Sequence, residues 1–283
     1  MASDKKVAII TGGASGMGRA VCEALATRHD WIVNMLDMDA DRGTQAATKI
    51  GATFHETNVA DYASLSSTFQ TIFHTHHRLD FVHANAGIIE RGDFYARHET
   101  GDEPPPPMPS ATVDINLFSV IQTCHLALHY MRATGQAIAR SIVVTASCGG
   151  LYAVPNAPTY AAAKFGAVGW VRSIAGRLWH EDGIRVNAIC PGTVRTNLLS
   201  ERQWENFPRE GFTPVEKVVE VVMMLVEGEG GGGGTLWGQA VEISGQRHYF
   251  RRQHEYCDER MEALLGATEA KWRHEQGSGG GGT

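Results

Sequence analysis

Short apolar runs that are rich in β-branched residues alternate along the chain with longer stretches of helical spacing. The first kind is typical of buried strands, and the second is typical of helices that cover a sheet. The pattern predicts strands over 6–11, 31–37, 52–56, 80–84, 140–146, 184–190 and 239–243. It predicts helices over 17–28, 40–49, 62–77, 111–133, 158–181 and 214–226. This alternation indicates an α/β fold, with a doubly wound parallel sheet in a single domain.

A glycine-rich turn separates the first predicted strand from the first predicted helix. Gly12, Gly16 and Gly18 are spaced as Gly-x-x-x-Gly-x-Gly, with Ser15 and Met17 between them. Glycine lets the main chain approach a pyrophosphate closely, and the N-terminus of a helix presents free N–H groups to the anion. A glycine cluster alone could be only a tight turn. Between a strand and a helix, it predicts a dinucleotide site on a Rossmann fold.

An acidic residue, Asp37, ends the second predicted strand about twenty residues past the glycine turn. A carboxylate at this place accepts hydrogen bonds from the adenosine ribose hydroxyls, and it would repel a 2′-phosphate. No Arg or Lys lies at 13–15 or 38–40 to bind such a phosphate. The sequence therefore predicts NAD(H) rather than NADP(H). In the alternative, Asp37 only caps the following helix, although Asp39 could do that instead.

Tyr160 and Lys164 lie four residues apart in a predicted helix, with three alanines between them. Residues at this spacing share one face of a helix, so both side chains should enter the same pocket. The ammonium is expected to lower the pKa of the phenol from about 10, which would suit a general acid or base. On their own, such residues are most often an exposed aromatic ring and a solvated charge.

Further motifs follow predicted strands or interrupt a predicted helix. They are Asn85-Ala86-Gly87, Asn116, Ser147 and Pro191-Gly192. Together with the glycine turn and the pair at 160 and 164, their order and spacing resemble the short-chain dehydrogenase/reductase family over residues 5–245. Within that family, Asp37 and the segment 184–192 look most like the NAD-dependent, hydroxyprostaglandin-dehydrogenase-like branch. Each motif taken singly could be an ordinary strand-end or turn residue.

The resemblance implies a role for each of these residues. Tyr160 would be the general acid/base, and Lys164 would lower its pKa and hold the nicotinamide ribose. Ser147 would bind the substrate oxygen, and Asn116 would support a water that links the lysine to solvent. The implied coenzyme contacts are Gly12, Ser15, Gly16, Met17, Gly18, Asp37, Asn58, Val59, Asn85, Ala86, Gly87, Tyr160, Lys164, Pro191, Gly192, Thr193, Val194 and Thr196.

The chain departs from the family pattern in three places. Asn58-Val59 stands where the family often has Asp-Val or Asp-Leu, although the Asn58 carbonyl oxygen can still accept a hydrogen bond from adenine. Ala84 replaces the first Asn of the usual Asn-Asn-Ala-Gly. The stretch 88–111 is longer than usual and contains four consecutive prolines, 104–107, so we expect an exposed, stiff loop.

Composition excludes some functions. The chain has 283 residues and 43% hydrophobic residues, with a net charge of −6, which argues against a nucleic-acid partner. No run of eighteen apolar residues exists, so no membrane span is expected. No signal peptide is expected, and the five cysteines are dispersed, which predicts a reduced, cytoplasmic protein. His74, His76 and His77 suit a solvated helix end, so no metal is assigned.

The predicted domain covers 1–248, followed by a C-terminal extension over 249–276 and a disordered tail over 277–283. In the family, the segment after the nicotinamide turn covers the substrate, and here that lid is 197–212. Its apolar side chains indicate a hydrophobic alcohol or ketone, or they only pack the lid onto the body. They are Leu198, Leu199, Trp204, Phe207 and Phe212. The family also implies a homodimer or homotetramer.

The predicted function is an NAD(H)-dependent oxidoreductase that interconverts a hydrophobic secondary alcohol and its ketone, in secondary or lipid metabolism. A first alternative keeps the scaffold as a biosynthetic cyclase or isomerase, and the 88–111 loop and the long tail motivate it. A second alternative is a non-catalytic NAD(H)-binding sensor. The complete set of Asn116, Ser147, Tyr160 and Lys164 argues against a sensor, which needs no acid/base pair.

Overall fold

Eight strands form one sheet in the computed structural model, which describes residues 5–98, 103–135, 140–198, 201–205, 209–228 and 235–267. The strands are β1 Lys6–Thr11, β2 Trp31–Asp37, β3 Thr53–Glu56, β4 Phe81–Ala84, β5 Arg140–Thr145, β6 Ile184–Pro191, β7 Ala240–Ser244 and β8 Arg247–Phe250. Their order is β3-β2-β1-β4-β5-β6-β7-β8. The first seven are parallel, and β8 pairs with β7 in the antiparallel direction. The predicted doubly wound parallel sheet is confirmed.

Helices connect the parallel strands. They are α1 Gly16–Ala26, α2 Ala40–Ile50, α3 Tyr62–His76, α4 Ala111–Val113, α5 Ser119–Ala133, α6 Pro158–Asp182, α7 Glu201–Trp204 and α8 Val215–Glu227. A π-helical turn, Asp114–Phe118, joins α4 to α5, and two 3₁₀ turns lie at Cys148–Gly150 and Arg209–Gly211. The predicted helix over 111–133 is therefore interrupted by a wider turn, which centres on Asn116.

The core has one layer on each face of the sheet. Val7 and Ile9 of β1 pack with α3, α5 and α6, whereas Ala8 and Ile10 pack with α1, α2 and α8. Successive side chains of a strand point to opposite faces, so one apolar strand supplies both layers. This burial on both sides explains why the inner strands read as continuous apolar runs.

The strand β8 was not predicted. Its residues are polar or aromatic and mostly exposed, and it follows β7 after only two residues. An edge strand of this kind lacks the apolar run that identifies the inner strands. Because β8 pairs with β7, the first compact unit extends to Arg251 rather than to 248.

The start of α8 is held by a contact with β7. Pro214 occupies the N-cap position and no side chain caps the helix. The buried Thr213 hydroxyl instead donates to Ile243 O and accepts from Gly245 N. Thr213 therefore ties α8 to the end of β7, a contact that local spacing could not reveal.

The continuous helical segment Ala111–Ala133 is long and apolar enough to cross a membrane by length and composition, and 44% of its most apolar window is buried. Its residues Val120, Cys124, Ala127 and Met131 belong to the core layer beneath the sheet. Core helices of proteins without any membrane segment meet the same criterion.

The second compact unit is Arg252–Thr283, of which residues 252–267 are described. Residues 259–267 are helical, and Asp258 caps this helix by accepting a hydrogen bond from Met261 N at 2.7 Å. This helix lies within the C-terminal extension predicted over 249–276. The tail over 277–283 and the lid residues Leu199 and Phe207 lie outside the described residues.

Candidate active site

A cavity of about 490 Å³ opens at the carboxyl ends of the parallel strands. The turns that follow β1, β2, β4, β5 and β6 all contribute to its wall. Ligands bind at this edge in open parallel sheets because the connecting turns leave a crevice there. All but two of the predicted site residues line this one cavity; the exceptions are Gly18 and Asn58.

The glycine turn enters α1 with a left-handed backbone at Gly12 and Gly16, whose φ angles are 65° and 53°. Ser15 is the N-cap residue, and its side chain makes no capping hydrogen bond. The first N–H groups of α1 therefore remain available to an anion in the cavity. Gly18 has a different role, because a Cβ there would lie 2.3 Å from Gly12 O. Gly18 allows the helix α1 to pack closely against the glycine turn. It does not line the cavity.

The Asp37 carboxylate is held at the end of β2. It accepts hydrogen bonds from Ala14 N at 3.0 Å and from Asp39 N at 3.2 Å. Asp39 caps α2 by accepting from Arg42 N, so the helix does not need Asp37 as its cap. Arg42 also lines the cavity and pairs with Asp39 at 3.4 Å. Arg42 carries no signal in the sequence, because its reach from the first turn of α2 to the cavity depends on the fold.

Asn58 does not line the cavity, and its contact with adenine stays a prediction. Its Oδ1 accepts a hydrogen bond from Ala60 N at 3.0 Å, and its own N–H donates to Ser64 Oγ. The side chain thus shapes the turn before α3. Its neighbours Thr57 and Val59 line the cavity instead.

Asn85 lines the cavity with Ala86 and Gly87, and its side chain joins three strands. Its Nδ2 donates to Thr11 O at 3.0 Å, and its Oδ1 accepts from Thr145 Oγ1 at 3.1 Å. Both ends of the amide are therefore used by β1 and β5. The residue fixes the spacing of the strand ends that form the site.

Thr145 is a site residue that no sequence motif singles out. Its hydroxyl also contacts His83 Nε2 at 2.9 Å, and burial lowers the pKa of His83 to about 3, so this histidine is neutral. The carbonyl oxygen of Thr145 accepts a hydrogen bond from Lys164 Nζ at 2.8 Å. In the sequence, only its place at the end of a predicted strand could have indicated that this threonine belongs to the site.

Tyr160 and Lys164 share one face of α6, as their spacing predicts. Both line the cavity, and Lys164 Nζ lies 5.7 Å from the centre of the Tyr160 ring. Lys164 is only 3% exposed. Its position is set by the bond to Thr145 O, which anchors α6 to β5.

Burial controls the pKa values of this pair. It raises the pKa of Tyr160 above its usual 10, and a hydrogen bond with the Ser147 hydroxyl acts in the opposite direction. Burial also lowers the pKa of Lys164 to about 8. The prediction that Tyr160 has a lowered pKa is therefore wrong, because loss of water around the phenolate outweighs the hydrogen bond. Tyr160 holds its proton at neutral pH.

Ser147 lies two residues past β5 and begins the 3₁₀ turn Cys148–Gly150. Its Oγ accepts a hydrogen bond from Gly149 N at 3.0 Å, which orients the hydroxyl. The hydroxyl and the phenol of Tyr160 thus meet in the cavity. Cys148 also lines it, and burial raises the pKa of the Cys148 thiol.

Asn116 is fully buried at the π-helical turn. Its Oδ1 accepts from Ile88 N at 2.9 Å and its Nδ2 donates to Ile88 O at 2.8 Å. These bonds hold the segment after β4 against the helix. A π turn often marks a functional position, because it redirects a side chain that a regular helix would place elsewhere.

The turn after β6 forms the opposite wall of the cavity. Its lining residues are Pro191, Gly192, Thr193, Val194 and Thr196. Gly192 N donates to Ile243 O at 2.8 Å, so β7 supports the turn. The side chain of Thr196 lies against Gly16, which brings this wall to the glycine turn.

Trp204 of the lid is 7% exposed, and it lines the cavity, as does Leu198. Its Nε1 donates to Thr196 O at 3.0 Å, and its ring packs edge-on against Phe212 at 5.7 Å. Among the lid residues that the structure describes, the apolar side chains therefore do both things that the sequence left open. They pack the lid onto the body, and they present an apolar surface to the cavity.

Comparison with known proteins supports the same family. The model described as short chain dehydrogenase matches residues 6–206, and the chain belongs to the short-chain dehydrogenase/reductase family. Short-chain dehydrogenase/reductase prx7 of Penicillium rubens is 44% identical over 271 residues, covering 89% of this chain and 96% of its own. Human 15-hydroxyprostaglandin dehydrogenase (NAD(+)) is 32% identical over 209 residues, covering 71% of this chain and 72% of its own. The predicted family is confirmed.

Solved structures share the fold. Levodione reductase has a TM-score of 0.70 at 24% identity, with 87% of this chain and 98% of that chain covered. A 3-ketoacyl-(acyl-carrier-protein) reductase from Brucella melitensis, complexed with NADH, has a TM-score of 0.69 at 22% identity. The match covers 85% of this chain and 97% of that chain.

Proposed function

We propose that this chain is an NAD(H)-dependent oxidoreductase that interconverts a hydrophobic secondary alcohol and its ketone, in secondary or lipid metabolism. One observation carries the proposal: Tyr160, Lys164 and Ser147 meet in the same cavity as the open N-terminus of α1. A proton carrier and an anion cradle at one strand edge suit hydride transfer to a dinucleotide better than they suit a binding scaffold.

The wall of the cavity fits a dinucleotide along its length. The first N–H groups of α1 would hold the pyrophosphate, and the Asp37 carboxylate would bind the adenosine ribose. The turn after β6 would enclose the nicotinamide, and Lys164 would hold its ribose. The nicotinamide ring of the bound coenzyme supplies the hydride acceptor. Asp37, together with the NAD(+) in the name of the human relative, supports NAD(H) as the coenzyme.

The substrate end of the cavity is apolar. The residues that line it are Ile88, Ile115, Cys148, Val154, Leu198 and Trp204. A mostly apolar pocket with a few convergent polar groups favours an apolar molecule that is oriented by one oxygen. Ser147 and Tyr160 are the polar groups, so we expect the reacting oxygen to sit between them.

The protonation state of the Tyr160 phenol decides the direction in which it can transfer a proton. In ketone reduction, the Tyr160 hydroxyl donates its proton to the substrate oxygen while Ser147 donates a hydrogen bond to it. In alcohol oxidation, the Tyr160 phenolate accepts the hydroxyl proton. The nearby Lys164 ammonium stabilises that phenolate by charge attraction, which partly offsets the cost of burial.

The direct test is a hydride-transfer assay on the purified protein with a panel of apolar secondary alcohols and ketones. The absorbance of NADH measures the rate. We expect turnover with NAD⁺ and a kcat/KM at least about tenfold higher than with NADP⁺, because the Asp37 carboxylate would repel a 2′-phosphate. Small polar alcohols serve as the matched control. Absence of turnover in both directions across the panel would count against the proposal, and a preference for NADP⁺ would count against the role of Asp37.

The rate should depend on pH in opposite ways for the two directions. The raised pKa of Tyr160 means that phenolate is scarce at pH 7, so alcohol oxidation should rise with pH. Above about pH 8 the Lys164 ammonium loses its proton, so the rise should flatten there. The rate of ketone reduction should not change from about pH 6 to 8, and it should fall above pH 8, where the Lys164 ammonium is lost. Log kcat plotted against pH in each direction measures this, and oxidation that is level between pH 6 and 8 would contradict it.

The expected homodimer or homotetramer stays a prediction. Two exposed aromatic side chains support it: Phe165 on the catalytic helix α6 is 47% exposed, and Phe118 at the end of the π-helical turn is 55% exposed. Apolar surface of this kind is commonly covered by another subunit. Placement in the cytoplasm likewise stays a prediction.

A further inference from the structure

The helix that carries Tyr160 begins without a local cap. Ala157 occupies the N-cap position, where its side chain can accept no hydrogen bond. Pro158 is the first helical residue and has no N–H. Thr159 and Tyr160 therefore present the first free N–H groups of α6, and these need acceptors from elsewhere.

A carboxylate from a distant segment accepts both of them. Glu90 Oε1 accepts from Thr159 N at 3.1 Å, and Glu90 Oε2 accepts from Tyr160 N at 2.5 Å. About seventy residues separate the partners in sequence. A charged acceptor at a helix N-terminus forms stronger bonds than a neutral one and also meets the positive end of the helix dipole.

The segment that carries Glu90 is itself held in place on both sides. Asn116 bonds to both main-chain polar groups of Ile88, and the buried Thr112 hydroxyl accepts from Arg91 N at 2.9 Å. Both anchors lie in or beside the π-helical turn. Glu90 is thus presented to α6 from a segment that is tied two residues before it and one residue after it.

We infer that Glu90 is a positioning residue for the reaction: it fixes the first turn of α6 and so sets the distance from the Tyr160 phenol to Ser147. The inference rests on the proposed role of Tyr160 as the general acid/base. Because one of the two bonds is made by the N–H of Tyr160 itself, loss of the carboxylate would free the backbone from which the phenol extends. Small misplacements of a reacting group are costly to rate, up to about 10²-fold for 1 Å.

The test compares Glu90→Ala and Glu90→Gln with the wild-type protein. Alanine removes both acceptors, whereas glutamine keeps the shape and one neutral acceptor oxygen. We expect Glu90→Ala to lower kcat at least about tenfold, with KM for the alcohol within about threefold, and Glu90→Gln to lie between. Hydrogen exchange of the amides at 159–162 should accelerate, while exchange at the end of α6 should stay unchanged.

Glu216→Ala is the matched control, since Glu216 is an exposed carboxylate in the first turn of α8. It should change neither kcat nor exchange at 159–162. The inference fails if Glu90→Ala and Glu90→Gln keep kcat within twofold of wild type, or if exchange accelerates equally along all of α6. If Tyr160→Phe is fully active, the proposed function fails instead, so the two results are separable.

Discussion

Replacing Tyr160 with phenylalanine is expected to lower kcat for hydride transfer by about 10²–10⁴-fold, the range that a positioned general acid or base contributes. The change removes one oxygen and keeps the ring, so the packing of α6 is preserved. The lost hydroxyl is the group that meets Ser147 in the cavity. The measurement is kcat with NAD⁺ and an apolar alcohol, together with NADH affinity by fluorescence titration, which should change by less than about threefold.

Tyr152→Phe is the matched control for this substitution. Tyr152 is 46% exposed, and its hydroxyl donates to Glu242 Oε2 at 3.0 Å outside the cavity. It should retain wild-type kcat. If Tyr160→Phe also retained it, the proton would have another carrier and the proposed reaction would lose its main support.

Replacing Lys164 with methionine is expected to lower kcat/KM for alcohol oxidation by about 100-fold. At the 5.7 Å between Nζ and the ring centre, attraction to a phenolate amounts to about 3 kcal/mol for an effective dielectric constant of about 20. Each 1.4 kcal/mol or so corresponds to a tenfold change in rate. Methionine matches the length of the lysine stem, so the main loss is the charge and its bond to Thr145 O.

The same variant tests the pH assignment. Since the flattening expected near pH 8 is attributed to Lys164, it should disappear in Lys164→Met. Lys49→Met, at an exposed position in the last turn of α2, is the control and should behave as wild type. A bend that persists near pH 8 in Lys164→Met would assign the titration to another group.

Local patterns predicted most of the fold, because each depends on neighbours in sequence. The seven parallel strands and the connecting helices follow from apolar periodicity and from the positions of the turns. The pair Tyr160 and Lys164 was placed on one helical face by spacing alone, and the structure agrees. The strand β8 was missed because an exposed edge strand has no apolar run.

The site was predicted less completely than the fold. Asn58 was expected to line the site, but it lies outside the cavity and its side chain accepts from Ala60 N within its own turn. Thr145 and Glu90 were not singled out, because neither has a distinctive sequence context. Each acts through a partner that is far away in the chain, and only folding brings that partner within hydrogen-bond distance.

Residue types and short-range spacing were enough to predict the class of fold, the family and the chemical groups available for catalysis. Tertiary structure decided the direction of the Tyr160 pKa shift, because the exclusion of water depends on every element packed around the phenol. It also decided how α6 is capped, because the carboxylate that accepts its first N–H groups comes from the segment after β4.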